Sequence, residues 1–240
     1  MFPKTHRKLE DNLEKTSISF LKENLELVLD KKKCVGCGTC ERACPKEAIV
    51  KKELDEPVRV NQKQIIRKVK HFLIPNVHDP EKCVYCGVCT YVCPFNALTL
   101  KINGEKIEPE HLPLVEEHAL PKIDYEEVTL DSGEKVKKYA SGSLTINVEK
   151  CAGGCSNCAD VCPSGAITVA DEKFQPENKW ESNVVLELRE DKCVFCGACH
   201  NACPTGALQL DINEIYFSGN YNSPFWDNIM GRLKLKERKD

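Results

Sequence analysis

The stretch "CVYCGVCTYVCP" places Cys83, Cys86, Cys89 and Cys93 within eleven consecutive residues and follows the last with a proline. Thiolates are soft, polarisable ligands, and so dense a set suits a metal centre or a disulfide staple. The same offer is made in three more places: "CVGCGTCERACPKEAI" from 34, "CAGGCSNCADVCPSGAI" from 151 and "CVFCGACHNACPTGAL" from 193. All sixteen cysteines of the chain fall inside these four copies. The N-terminus "MFPKTHRKLEDN" carries charge where an export leader needs an apolar stretch, and no apolar run approaches the length of a membrane span. The reading is therefore a cytoplasmic protein without membrane attachment, in which thiols stay reduced and bind metal.

Three copies have the spacing C-x2-C-x2-C-x3-C-P, the bacterial ferredoxin pattern for a [4Fe-4S] cluster. A loop with two residues between thiolates wraps over three iron corners of a cubane. The fourth cysteine points elsewhere, and in two-cluster ferredoxins it ligates the neighbouring cluster. Structural zinc would use paired C-x2-C hooks instead. Pairing neighbouring copies gives the ligand sets Cys34, Cys37, Cys40 and Cys93; Cys83, Cys86, Cys89 and Cys44; Cys151, Cys155, Cys158 and Cys203; and Cys193, Cys196, Cys199 and Cys162. A nested arrangement, the first copy with the fourth around the second with the third, stays open. Either way the cofactors are four [4Fe-4S] clusters.

Residues around the cysteines have assignable roles. Pro45, Pro94, Pro163 and Pro204 fix φ and suit the first turn of a helix following the fourth cysteine. Gly38, Gly87 and Gly197 let the backbone approach a cluster and direct N–H groups at sulfur. In the third copy "CAGGC" inserts a residue and Ser156 replaces that glycine, so hydrogen bonding there should differ. Tyr85, Phe95 and Phe195 are apolar shields, His200 a solvated side chain, and Lys33, Lys82, Lys150 and Lys192 a positive charge ahead of each copy. Sixteen thiolates against four cores of about +2 each add roughly −8 to the formal charge. That formal charge is −3, so the loaded protein is acidic. No basic face for nucleic acid exists, and partners should offer basic docking surfaces.

The elements that must hold these loops follow from the flanks. Alternating text precedes the copies ("LELVLD", "SLTINV", "NVVLELR") and follows them ("IVKKE", "LTLKI", "ITVAD", "LQLDI"). The unit is strand, cysteine loop, short helix, strand, used four times. The fold class is α+β, with two tandem ferredoxin-like 2[4Fe-4S] modules, a long connector and helical terminal extensions. The boundaries are an N-terminal extension 1–25, a first module 26–104, a connector arm 105–143, a second module 144–212 and a tail 213–240. "NQKQIIRKVKHFL" reads as a helix inserted in the first module, and "DSGE" as the turn of a hairpin in the arm. Residues 7–29 read as a polar, helical extension. In the tail, Ser223 is an N-cap and Pro224 opens a helix whose Phe225, Trp226, Ile229, Met230 and Leu233 share one face. That face covers either its own domain or a partner, and its basic end is a weaker candidate for a membrane surface.

No dinucleotide fingerprint, phosphate loop or nucleophile elbow is present, so no catalytic residues of its own are assigned. "CVYCGVCTYVCPFNALTLKINGE" and "LVEEHALPKID" resemble the polyferredoxin subunit of archaeal formylmethanofuran dehydrogenase over most of residues 30–212. The chain has four motifs where that family has more. The resemblance implies an anaerobic electron-transfer subunit that exchanges electrons with a tungsten or molybdenum formate-oxidising subunit and further iron-sulfur subunits. A soluble ferredoxin or a flavoprotein would be an outside partner. The alternatives are a free polyferredoxin shuttle, or the electron-input subunit of a hydrogenase-type or heterodisulfide-reductase-type complex.

Overall fold

The computed structural model describes residues 4–10, 12–53, 73–77, 79–130, 132–151, 155–171, 184–221 and 224–234. The inserted helix expected over "NQKQIIRKVKHFL" and the Ser223 cap lie outside the described residues.

In the N-terminal half the strands are β1 Lys4–Glu10, β2 Leu13–Ser19, β3 Asn24–Asp30, β4 Ile49–Glu53, β5 Leu73–Val77, β6 Leu98–Ile102 and β7 Glu105–Ile107. Two short helices, α1 Thr39–Ala43 and α2 Val88–Tyr91, sit within the cysteine motifs. β3 leads into the first motif and pairs antiparallel with β6, which leaves the second; β4 and β5, the inner pair, form their own ladder. α1 and α2 pack together. The two copies are therefore interleaved, each supplying one strand to each ladder.

Residues 7–29 are not helical. β1, β2 and β3 form consecutive antiparallel pairs and extend the β3–β6–β7 ladder to five strands. The inward side chains of β2 are Glu14 and Thr16, at 5% and 1% exposure, while Leu9 on β1 stands 63% exposed. Buried Glu14 is held by the Arg7 guanidinium at 2.6 Å and the Lys31 ammonium at 3.6 Å. A strand with polar residues facing in lacks the apolar alternation by which strands are read.

The connector contributes a single turn, α3 Pro113–Glu116, and the strands β8 Lys122–Ile123, β9 Glu126–Thr129 and β10 Lys135–Lys138. β9 and β10 form the hairpin expected around "DSGE". The connector lies against α2: Leu112 and Leu120 are buried, the Tyr91 hydroxyl donates to the Pro121 carbonyl at 2.7 Å, and it accepts from the Ile123 N–H at 2.9 Å.

The second half repeats the first with β11 Ala140–Ile146, α4 Asn157–Val161, β12 Ile167–Asp171, β13 Val184–Leu188, α5 Ala198–Ala202 and β14 Leu208–Ile215. β11 pairs with β14, β12 with β13, and α4 packs on α5. β15 Phe217–Ser218 then pairs with β8 of the connector. The last helix, α6 Pro224–Leu233, packs on α1 of the first half. Its Trp226, Ile229 and Leu233 are buried, with Trp226 set edge-on against Phe217 at 5.7 Å, and the Arg232 guanidinium donates to the Cys44 carbonyl at 2.8 Å. The apolar face of the tail thus covers its own chain. No helix among the described residues is long and apolar enough to cross a membrane.

Candidate iron-sulfur sites

The first, second and fourth motifs are built by the same backbone moves. The third residue of the loop takes a left-handed conformation at Gly36, Tyr85 and Phe195, with φ of 68°, 52° and 51°. Tyr85 and Phe195 accept this unfavourable conformation as large side chains. They are also buried, beside the thiols of their own loops. Gly38, Gly87 and Gly197 then cap the short helix from the left-handed region, whereas Ser156 does so with φ −116°. The third copy differs at the expected place.

The helix comes before the fourth cysteine, not after it. Cys44, Cys162 and Cys203 are themselves the C-caps of α1, α4 and α5, in extended conformation. Proline forces this, because it disfavours helical geometry in the residue ahead of it. It then occupies the first inner position of a tight turn, closed in all four copies by an N–H three residues on that donates to the cysteine carbonyl. The turn aims the next N–H at sulfur: Ala48 donates to Cys44 Sγ at 3.3 Å, Ala97 to Cys93 Sγ at 3.3 Å, and Ala207 to Cys203 Sγ at 3.2 Å. Cys162 Sγ instead lies 3.6 Å from the buried Ser164 hydroxyl.

These turns carry the fourth thiol of one motif to the loop of its neighbour. Cys44, Cys83, Cys86 and Cys89 line one cavity of about 380 Å³, counted with its open mouth, and Cys162, Cys193, Cys196 and Cys199 line another of about 360 Å³. Electrostatics follows the same grouping at several thiols, although Cys196 feels Cys37 of the first motif ahead of Cys199 and Cys162. Burial pushes the Cys83 thiol up to about 11, with Cys86 and Cys44 adding to the rise. Burial likewise pushes Cys199 up to about 12, with Cys162 and Cys193 next in importance. Burial raises Cys34 and Cys40, and Cys93 is among the neighbouring thiols adding to both. Burial raises Cys151 and Cys158 too, and both feel Cys203. At Cys203 burial also acts upward, but the Thr205 hydroxyl and the N–H groups of Leu208, Thr205 and Ala207 outweigh it and lower the thiol below its usual value.

Where burial and neighbouring thiols raise them, as at Cys34, Cys40, Cys83, Cys93 and Cys199, the bare thiols hold their protons at neutral pH. A bound cluster would supply the countercharge that lets these cysteines ligate as thiolates. Four soft donors around an apolar cavity, with N–H groups directed at sulfur, fit a [4Fe-4S] cluster. Among the described residues no three His, Cys, Asp or Glu close on one point as a lone metal ion needs.

Tyr85, Phe95 and Phe195 are all buried, Tyr85 and Phe195 beside the thiols of their own loops. His200 is not a solvated side chain. It is half-buried, and its Nδ1 lies 2.7 Å from the Leu208 carbonyl, tying α5 to β14. Sequence reading missed Asn201, Tyr139 and Arg42, which stand between the two halves. The Tyr139 hydroxyl donates to the Val92 carbonyl at 2.6 Å. Nothing in the motif spacing announces them.

The fold and the sites define the class of paired ferredoxin-type [4Fe-4S] modules. Residues 33–97 and 150–207 match the 4Fe-4S dicluster domain, and a second dicluster description matches 75–163. The chain belongs to the 4Fe-4S dicluster domain family, with two such domains and so four cluster sites. It is 38% identical over 56 residues to NADH-quinone oxidoreductase subunit I 2 of Geobacter metallireducens, covering 23% of this chain and 41% of that one. It is 32% identical over 73 residues to an uncharacterised polyferredoxin-like protein of Methanocaldococcus jannaschii, covering 30% and 43%. The chain thus spans less than half the length of these relatives. In structure, it superposes at a TM-score of 0.69 and 24% identity on a chain of the formate dehydrogenase–heterodisulfide reductase–formylmethanofuran dehydrogenase complex from Methanospirillum hungatei, covering 100% of this chain and 96% of that one.

Proposed function

We propose that this chain is the electron-transfer subunit of a cytoplasmic, multisubunit archaeal oxidoreductase, one that acts on formylmethanofuran. Its partners are then a tungsten or molybdenum formate-oxidising subunit and further iron-sulfur subunits. When bound, the clusters supply one-electron storage and release. The residues of the chain do the rest. Cys34, Cys37, Cys40 and Cys93 hold one cluster, and Cys44, Cys83, Cys86 and Cys89 its neighbour. Cys151, Cys155, Cys158 and Cys203 hold a third, and Cys162, Cys193, Cys196 and Cys199 the fourth. Tyr85, Phe95 and Phe195 exclude water, and the N–H groups of Ala48, Ala97 and Ala207 stabilise negative charge on sulfur.

The observation that carries this reading is the length of the structural likeness, which takes in the N-terminal hairpin, the connector and the tail as well as the motifs. A diffusing two-cluster ferredoxin has no use for those segments. Anaerobic affinity purification from the native organism should return the chain together with a molybdenum- or tungsten-containing subunit. A chain that runs free in every anaerobic fraction, with full activity as a diffusing carrier, would overturn the reading in favour of a shuttle.

A further inference from the structure

The two halves meet through particular motifs. Asn201, on α5 of the fourth motif, donates from Nδ2 to the Cys37 carbonyl at 2.9 Å and to the Gly36 carbonyl at 3.3 Å, both in the first motif's loop. Its Oδ1 accepts from Lys51 Nζ at 3.0 Å, and Lys51 also lies 3.6 Å from Glu41 on α1. One amide thus spends both ends across the boundary. Beside it a cavity of about 290 Å³ is bounded by Thr39, Arg42 and Pro94 from the first half and by Tyr139, Phe195 and Cys196 from the second. Arg42 crosses its floor, donating to the Cys37 carbonyl at 3.2 Å and to the Thr39 hydroxyl at 3.4 Å. Among the described residues, Cys83, Cys86 and Cys89 of the second motif and Cys151, Cys155 and Cys158 of the third are not in the lining of this cavity, although Pro94 of the second motif is. The second packs under the connector through Gly87 and Tyr91, and Val84 beside Cys83 is 54% exposed. Near the third, Val148 is 49% exposed.

We propose that the two modules exchange electrons at a single junction, between the first and fourth motifs, so that the four sites form a line in the order second, first, fourth, third, and that Asn201 is a positioning residue that sets the spacing of the two loops at that junction. This rests on the ligand sets given under the proposed function. Each step along the line moves one electron, one site being oxidised as its neighbour is reduced, with no bond made to hydrogen. A low-potential one-electron donor such as dithionite fills the line, and a viologen-type one-electron acceptor empties it. A line puts its outward ends at Val84 and Val148, where a donor and an acceptor can dock separately. A square of four sites would short-circuit those ends.

The test uses the full-length holoprotein, reduced anaerobically with dithionite, and reads dipolar couplings between reduced sites by pulsed electron paramagnetic resonance. The wild type should show one dominant coupling between the pairs. C196S should abolish it, while C155S, which strikes the third site, should leave it in place. N201A, and the isosteric N201D that sets a carboxylate against the two carbonyls, should keep wild-type iron and sulfide and within-pair coupling but measurably weaken the coupling between pairs, the connector and tail still joining the halves. Loss of between-pair coupling in C155S with retention in C196S overturns the order. Unchanged coupling in both Asn201 variants overturns the role of Asn201. If the ligand sets themselves were wrong, the wild type would lack within-pair coupling, an outcome distinct from either.

Discussion

Gly87 shows how one residue serves two neighbours at once. Its φ of 78° caps α2, and a Cβ built there would lie 2.4 Å from a methyl of Leu112 in the connector. Gly104 has a similar φ of 84° but open space around it. Gly104→Ala should therefore cost only the left-handed conformation, about 1–2 kcal/mol. Gly87→Ala adds the overpacking of a fully buried leucine, typically a further 1–3 kcal/mol. Anaerobic melting of the two loaded variants should rank Gly87→Ala clearly lower, and equal Tm values would show that the connector does not press on α2. The sixteen cysteines were legible because their spacing is a local, covalent property of the chain. Tyr85 and Phe195 were not legible as left-handed residues, since the place that glycine takes at Gly36 is filled in their loops by large side chains. Asn201 was not legible at all. Its partners Gly36 and Cys37 lie far away in sequence, and an asparagine after a cysteine and a histidine carries no signal of what its amide will meet.

At the scale of elements, the strands flanking the motifs follow their alternation, while the two termini depart from theirs in opposite ways. The N-terminal hairpin hid behind Glu14 and Thr16, inward residues that a hydrophobic pattern leaves out. The helix of the tail was plain from its spacing, but spacing cannot say what a face will cover. It covers α1. Trp226, Ile229 and Leu233 are buried there, and burying such side chains is worth about 1.5–3 kcal/mol each. Truncation after Gly219 thus removes part of the first module's wall, along with the Arg232 donor to the Cys44 carbonyl. The truncated holoprotein should melt well below the full chain and release iron sooner on dilution into chelator. Trp226→Ala, which leaves the helix in place, should cost about 3–5 kcal/mol by itself. A truncated chain with unchanged Tm and iron retention would place the tail outside the fold.

At the scale of the molecule, the sequence reads as two beads on an arm, and the fold ties the beads together. β15, after the second module, pairs with β8 in the connector; the connector is pinned to α2 by Tyr91; and α6 returns to α1. The Lys137 N–H donates to the Pro94 carbonyl at 3.0 Å, and Lys138 Nζ to the Glu190 carbonyl at 3.1 Å. Such ties join short segments far apart in the chain, and a two-residue strand such as β8 has no periodicity to reveal it. Each tie is modest, about 0.5–1.5 kcal/mol for a hydrogen bond, but they act in parallel and share the apolar contacts of Leu112, Leu120 and Trp226. Neither module can then open without exposing surface on the other. The loaded protein should unfold in one cooperative transition, with visible cluster absorbance and far-ultraviolet circular dichroism lost together. Removing iron should abolish that transition, because the cysteines of each set come from separate segments of the chain that cluster ligation would hold together, so that metal binding is coupled to folding. Two separated transitions, one for each pair of clusters, would mean that the ties are too weak to couple the halves and that each module stands alone.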